Sequence, residues 1–247
     1  MSGKFIFTAV ALTAVGAAGG AYALTIDAFS NGQYTQDAPS VTTDSPNELD
    51  SIPVLGGSRD LAAVNASSMN ADSSDDVTGG TQATVNANNS GNFSVSNASL
   101  TSGMGVLTYD GDDNDATVDG VDTYGLGGED LTDGLGAGSF MFDVVATDSP
   151  FDYTLSVWDS ATTASFMGSI ATNEAGTTKS INFNQFAGID FTDIGAVQLS
   201  LMGGSASDIS IDNFQTAGAA IPLPAGLPLL LAGLGGFAVL RRRKSQG

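Results

Sequence analysis

Tyr153-Thr154-Leu155-Ser156-Val157-Trp158 decides the fold class of this chain. Apolar and polar residues alternate one by one, the period of a strand with one buried face. Just upstream, Ser139-Phe140-Met141-Phe142-Asp143-Val144-Val145 is a second run of strand length, rich in aromatic and β-branched residues. Working outward, residues 25–29, 93–96, 105–109, 180–183, 196–201 and 209–214 read the same way, separated by turns of Gly, Ser, Asn and Asp. No stretch shows an amphipathic helical period. The pattern predicts an all-β protein, a single antiparallel β-sandwich over residues 24–215. Residues 33–49 are polar and proline-bearing, and residues 67–81 are rich in Ser, Asp and Gly, so both read as long surface loops. Residues 216–220 read as a short linker.

The two ends carry a different pattern. Lys4 precedes an apolar run at residues 5–18, and Ala21-Tyr22-Ala23 has the small-x-small form of a signal-peptidase site. Residues 1–23 therefore read as a signal peptide in helical form, with Leu24 as the mature N-terminus. A retained N-terminal anchor is the alternative, disfavoured by the short apolar run. At the other end, the 20 residues 221–240 carry no charge. A helix of that length spans roughly 30 Å, the hydrocarbon thickness of a bilayer. Its glycines weaken a helix in water but cost less in lipid, where backbone groups have no partner outside the helix. The cations that follow, Arg241-Arg242-Arg243-Lys244, belong on the cytoplasmic side, which puts everything before Ile221 outside. A buried C-terminal helix of a soluble domain is the competing reading. The Pro-x-Pro start and the three closing arginines weigh against it.

Ile221-Pro222-Leu223-Pro224-Ala225-Gly226, the glycine-rich span and the cluster Arg241-Arg242-Arg243 together closely resemble the VPLPA variant of the PEP-CTERM sorting signals. Ile221 stands where the family has Val. The resemblance covers residues 221–247 only. It implies a Gram-negative bacterium that makes exopolysaccharide. It also implies an exosortase, a membrane-embedded cysteine transpeptidase, as a processing partner beside signal peptidase. The protein would be anchored in the membrane through its C-terminal span before processing, then released or transferred to the cell surface or extracellular matrix. The signal implies nothing about the activity of the body it carries.

All 27 acidic residues lie between the two end segments, but only two cations do, Arg59 and Lys179. Two cations against 27 acids leave the mature body a net charge of −25. Nucleic acid is excluded as a partner, because there is no cationic footprint. Cations, calcium above all, and a gel of neutral polysaccharide suit such a body. The chain has no cysteine and no histidine. Disulfides, thiolate zinc sites, cysteine nucleophiles, Ser-His-Asp catalysis and histidine switching are therefore excluded. Any metal site must be built of oxygen, which favours calcium.

The first predicted strand carries Ile26-Asp27-Ala28-Phe29 and the last Ile211-Asp212-Asn213-Phe214, and Gly56-Gly57-Ser58-Arg59-Asp60 follows the opening strand. With the strand pattern, these resemble the galactose-binding-like jelly rolls found in many carbohydrate-binding modules. The resemblance spans most of the mature region. It implies that the first and last strands pair side by side, with a structural calcium near them held by an aspartate of the last strand. Asp212 occupies that position by motif, with Asp27 beside it. The competing reading has both aspartates facing solvent.

Asp110-Gly111-Asp112-Asp113-Asn114-Asp115 is a second calcium candidate, with Asp110, Asp112 and Asn114 as ligands, because calcium takes six to eight oxygens and such a turn supplies several. The EF-hand template fails: Asp115 stands where it needs Gly, and Val121 where it needs Glu. The competing reading is a solvated acidic hairpin. Arg59 is expected in an ion pair with Asp60 or a loop aspartate. Among the aromatics Trp158, Tyr153, Tyr124 and Tyr109, Trp158 shares the polar face of its strand with Thr154 and Ser156, which makes it the candidate for stacking on a sugar. Catalytic carboxylate pairs remain open in principle, since a glycosidase needs two acids.

The sequence thus points to a non-catalytic exported surface or matrix protein associated with exopolysaccharide. A carbohydrate-binding module, calcium-dependent in one form, is the alternative, and a polysaccharide-active enzyme ranks third. N-terminal sequencing and intact mass of the protein recovered from its native surface should show a start at Leu24 and loss of residues following the 221–226 motif. A chain still carrying Arg241 to Lys244 would refute the sorting reading.

Overall fold

Thirteen strands form among the described residues, and every pairing between them is antiparallel. The computed structural model describes residues 23–37, 47–66, 80–132, 134 and 138–218. The expected signal peptide, apart from Ala23, and the sorting tail, with Ile221 to Gly226 and Arg241 to Arg243, lie outside the described residues. Among the described residues, no helix is long and apolar enough to cross a membrane.

The strands are β1 (Thr25–Asp27), β2 (Gln33–Asp37), β3 (Asn47–Asp50), β4 (Ser58–Asn65), β5 (Thr81–Val85), β6 (Phe93–Asn97), β7 (Gly103–Tyr109), β8 (Gly138–Thr147), β9 (Phe151–Asp159), β10 (Thr163–Ile170), β11 (Thr177–Asn182), β12 (Ile194–Gly203) and β13 (Asp208–Gly218). A seven-stranded sheet runs β11-β8-β13-β6-β5-β2, with β1 paired to β13. A six-stranded sheet runs β10-β9-β12-β7-β4-β3. First and last strands pair as expected, Thr25 opposite Gln215 and Asp27 opposite Phe214.

Inward side chains of both sheets make the core. β9 buries Phe151, Tyr153, Leu155 and Val157, and β12 buries Val197, Leu199 and Leu201 opposite them. From the other sheet come Phe93, Val95, Phe140, Phe142, Val144, Ile209, Ile211 and Phe214. Phe140 sits within an aromatic cluster of Phe183, Phe186, Phe191 and Phe214, in which Phe183 and Phe191 stack at 3.8 Å. Each such side chain contributes about 1.5–3 kcal/mol on burial. In β13 the register shifts between Asp212 and Gln215, and Asn213 takes a left-handed φ of 54°. This bulge resets the alternation, so that Ile211 and Phe214 both point inward although three residues apart.

Three sequence expectations need correction. Residues 33–49 are not one loop, because 33–37 form β2 and 47–50 form β3. β2 buries Gln33, Thr35 and Asp37, so its inward face carries no apolar signal. The linker at 216–220 begins too early: Thr216, Ala217 and Gly218 pair with Phe140, Ser139 and Gly138, and β13 runs to Gly218. Arg59 pairs with neither Asp60 nor a loop aspartate but with Asp27 of β1, at 2.6 Å, both side chains buried. The remaining unpredicted strands are equally explicable. β4 is buried on both faces and so lacks alternation, β5 is short and polar by turns, and β10 is an edge strand with a mostly exposed outer face.

The Arg59 guanidinium has a partner for each of its three nitrogens. It donates to Asp27 Oδ2 through Nη1, to the Asn31 carbonyl at 2.7 Å through Nη2, and to Gln33 Oε1 at 2.8 Å through Nε. Asp27 Oδ2 also accepts from the Tyr109 hydroxyl at 3.0 Å, and Oδ1 accepts from the Phe29 amide at 2.6 Å. Gln33 Nε2 donates in turn to Asn47 and to the Arg59 carbonyl. One network therefore ties β1 and β2 of one sheet to β3, β4 and β7 of the other.

Breaking such a pair from one side strands a buried charge, whereas replacing both with apolar groups does not. Asp27→Ala should lower stability by about 3–5 kcal/mol, read as a fall in urea midpoint. The double change Asp27→Leu with Arg59→Met should cost clearly less than either single change.

Candidate functional site

Strand alternation sends consecutive residues of β4 to opposite sides. Arg59 points into the core with Leu61 and Ala63, so Asp60 points to the outer face of the six-stranded sheet. There it lies opposite Thr108 on β7 and Glu48 on β3. Asp110, two residues past Thr108, projects from the same face at the end of β7. The chain then leaves the sheet as a loop, 111–125, and folds back over that face.

The neck of this loop is backbone against backbone. A Cβ on Gly111, whose φ is 89°, would stand 2.7 Å from the Gly125 carbonyl oxygen, and one on Gly125 would collide with the Asp110 carbonyl. Only glycine permits that approach. The loop is pinned at three further points. The Asp122 amide donates to Asp110 Oδ2 at 2.8 Å. Gln198 Nε2 donates to the Val118 carbonyl and to Thr108 Oγ1, both at 3.0 Å. The Leu126 amide donates to the Gly195 carbonyl at 2.9 Å.

Beneath the loop, Asp60 and Asp110 are only 2% and 1% exposed. One carboxylate oxygen from each of Asp60, Asp110 and Asp113 lies within 4.8 Å of the others. Both oxygens of Asp60 and Oδ1 of Asp110 accept no hydrogen bond. Burial first, and the negative Asp110 second, push the Asp60 carboxyl up to about 9. Burial also raises Asp110, to about 6, against the opposing pull of the Asp122 amide. Beside them, Glu48, Asp50 and Asp112 form a second acidic group, more exposed, in which Ser58 Oγ donates to Asp50 Oδ1 at 2.8 Å and to Glu48 Oε1 at 3.3 Å. Burial raises Glu48 as well, followed by the charge of Asp50. Either group has the donor set to hold a metal ion, and an all-oxygen set suits calcium.

The structure splits the ligand set Asp110, Asp112 and Asn114 expected from the sequence. Asp110 joins Asp60 and Asp113, Asp112 joins Glu48 and Asp50, and exposed Asn114 donates weakly to Asp112 at 3.3 Å. The expected Asp27–Asp212 site does not form. Both Asp27 oxygens are occupied by Arg59, Tyr109 and Phe29, and Asp212 caps the Asn213 amide at 2.6 Å. Sequence reasoning misses Asp60 because its neighbour Arg59 offers an obvious partner. Strand alternation, which separates the two, is the available signal.

Of the aromatic candidates, Tyr109 and Tyr153 are core residues, Tyr153 packing edge-on against Phe142. Trp158 is half-buried on the outer face, between Thr163 of β10 and Ala196 of β12. Tyr124, 64% exposed, comes to the same end of β9 through the loop. The 123–126 stretch crosses β12 at Gly195, where a Cβ would lie 1.8 Å from the Thr123 carbonyl oxygen and 3.2 Å from the Tyr124 Cα. From there the Tyr124 hydroxyl reaches the Ser160 carbonyl at 3.1 Å, two residues beyond Trp158. The adjoining face presents Thr154, Ser156, Ser165 and Ser200, with Ser156 and Ser165 hydrogen-bonded at 2.8 Å. A separate shallow cleft of about 390 Å³ is lined by Phe183, Phe186, Ile189 and Phe191 among others, with no charged side chain.

No family model matches the chain, and no curated protein matches it. Among solved structures, a family 11 carbohydrate-binding module from Clostridium thermocellum, in complex with a β-1,3-1,4-mixed-linked tetrasaccharide, is 11% identical. It covers 81% of this chain and 98% of its own, with a TM-score of 0.38. A family 29 carbohydrate-binding module complexed with mannohexaose is 12% identical over 77% of this chain and 95% of its own, with a TM-score of 0.32. A family 61 module in complex with β-1,4-galactotriose is 13% identical over 76% and 88%, with a TM-score of 0.31. Likeness at this level transfers no ligand and no residue role.

The raised carboxyls give a stability profile with a definite sign. A carboxyl whose folded pKa exceeds its unfolded value of about 4 holds its proton longer in the native state, so stability falls as pH rises through that interval. In chelator, the urea midpoint should fall progressively from about pH 4 towards pH 9, as Asp110 and then Asp60 ionise. Asp60→Asn should flatten that slope. Asp115, Asp130 and Asp190, held low by the hydroxyls and amides of Thr117, Thr132 and Thr192, act oppositely and only below that range.

Proposed function

We propose that this chain is a non-catalytic exported protein whose β-sandwich binds a neutral glycan at the corner formed by Trp158 and Tyr124. The observation that carries the reading is the placement of these two aromatics on one hydroxyl-rich stretch of the sheet face, Thr154, Ser156, Ser165 and Ser200, with Asp152 the one charged residue of β9 on that side. Flat aromatic surfaces beside hydroxyl donors and acceptors suit a saccharide, which has apolar C–H faces and an equatorial rim of hydroxyls. A net charge of −25 on the mature body turns away acidic polymers and leaves neutral ones.

The signal-like N-terminus and the Ile221-Pro222-Leu223-Pro224-Ala225-Gly226 tail support delivery by an exosortase-type system. The destination is the surface or exopolysaccharide matrix of a Gram-negative bacterium. Calcium is the cation this body takes up there, given its oxygen-only donors. Hydrolysis is disfavoured at the clustered carboxylates of Asp60 and Asp110. They lie buried under a loop, where no sugar ring reaches a pair of acids.

Trp158 is the only tryptophan in the chain, so its fluorescence reports directly on the corner. Titration of the protein lacking residues 1–23 and 221–247 with neutral exopolysaccharide should quench or shift that emission. Tyr124→Ala should weaken binding about tenfold, about 1.4 kcal/mol, with an unchanged urea midpoint. Glycan binding that leaves Trp158 emission unaltered and survives Tyr124→Ala would place the site elsewhere. No binding to any neutral glycan would leave a surface protein without this activity.

A further inference from the structure

We propose that Asp60, Asp110 and Asp113 form a calcium site that fastens the 111–125 loop to the outer face of the six-stranded sheet. The inference rests on the calcium reading above and deepens it, by naming the ligands and what the ion does.

The spacing fits one coordination sphere. Calcium holds oxygens at 2.3–2.6 Å, so two ligands on opposite sides of the ion stand up to about 5 Å apart. The three carboxylates meet that limit, each within 4.8 Å of the others. They come from three separate places: the middle of the sheet at β4, the end of β7, and the loop itself. An acidic cluster alone would be an ordinary solvated surface. Here, however, Asp60 is 2% exposed and both its oxygens lack any hydrogen-bond donor, as does Asp110 Oδ1 at 1% exposure. A buried carboxylate without donors is costly unless a cation or a proton meets it.

The protein supplies no such cation. Among the described residues the positive side chains are Arg59 and Lys179. Arg59 faces the opposite side of β4 and is spent on Asp27. Lys179 pairs with Glu174 at 2.7 Å. Apart from a proton, the cation open to the group is therefore an external ion. Three hard, anionic oxygens choose calcium over zinc, which prefers nitrogen and sulfur, and over magnesium, which dehydrates reluctantly and demands a near-octahedral shell.

The consequence is mechanical. Asp113 belongs to the loop, and its Oδ1 caps the Asp115 amide at 2.8 Å. An ion shared with Asp60 joins that turn to the sheet. Without it, the loop keeps its glycine neck, the contacts at Asp122, Gln198 and Leu126, the Glu48 carboxylate against the Asn114 backbone and the Tyr124 hydroxyl on Ser160, but no tie through Asp113. Tyr124 stands at the end of this same loop, so the ion also steadies the aromatic corner.

The test uses the full-length chain in mild detergent, stripped with chelator and titrated with calcium chloride alone by equilibrium dialysis. Saturable uptake is expected near the roughly 0.1–1 mM range of extracellular calcium modules. Asp60→Asn and Asp110→Asn should each weaken it at least tenfold, and Asp50→Asn, in the neighbouring acidic group, less than twofold. At about pH 9 and above in chelator, where Asp60 is ionised beside Asp110, Asp60→Asn should also raise the melting temperature, because it removes one of the repelling charges. That gain shows that the variant is folded. Hydrogen exchange supplies an independent readout: calcium should slow the amides of residues 111–125 in the unmodified chain. Uptake that survives both variants but is lost with Asp50→Asn would overturn this site and keep the calcium reading. No uptake at about ten times the upper concentration would overturn both. Unchanged exchange in the loop on saturation would overturn the fastening role.

Discussion

The buried pair of Arg59 and Asp27 is the interaction on which the rest depends. It joins the two sheets through a guanidinium with a partner for each of its three nitrogens and a carboxylate with both oxygens used. A buried ion pair contributes modestly to net stability but strongly penalises any arrangement in which one partner is missing. It therefore specifies how β1 and β2 must sit over β4 and β7. It also removes from the surface one of the two cations found between residues 24 and 220.

That choice creates the acidic outer face. The residue after Arg59 on a strand has no alternative but to point the other way, and it is an aspartate. The reach of β7 adds Asp110 on the same side, and the returning loop closes over both. Adjacent residues of β4 thus face a fully neutralised pair on one side and carboxylates without a protein cation on the other.

The glycine neck at Gly111 and Gly125 couples this acidic group to the aromatic corner. Because the two strands of the loop touch backbone to backbone, the loop leaves the sheet narrowly and runs on to Gly195, where Thr123 and Tyr124 cross β12. The side chain of Tyr124 is then brought to the end of β9 that carries Trp158 by main-chain contacts and tethered through its hydroxyl to the Ser160 carbonyl. The position of this aromatic corner therefore depends on the loop beneath it.

Alternation and composition are legible in the chain itself. Period-two patterns at 153–158, 196–201 and 209–214 mark the strands, because one face of each is buried and the other is not. The absence of cysteine and histidine confines any metal site to oxygen. β2, β4, β5 and β10 are illegible for the converse reason: their burial is polar, two-sided, brief or confined to an edge, so no hydrophobic period survives. The metal candidates are half legible. The run at 110–115 announces acid, but ligand identity depends on which carboxylates converge, and Asp60 lies far from Asp110 along the chain. The sequence by itself determined an acidic, all-β, oxygen-donor protein with an export-like pair of ends. The tertiary structure decided which charges meet. Pairing between distant strands, and the opposite sides taken by Arg59 and Asp60, are set by packing across the sandwich, and no local pattern in the chain encodes it.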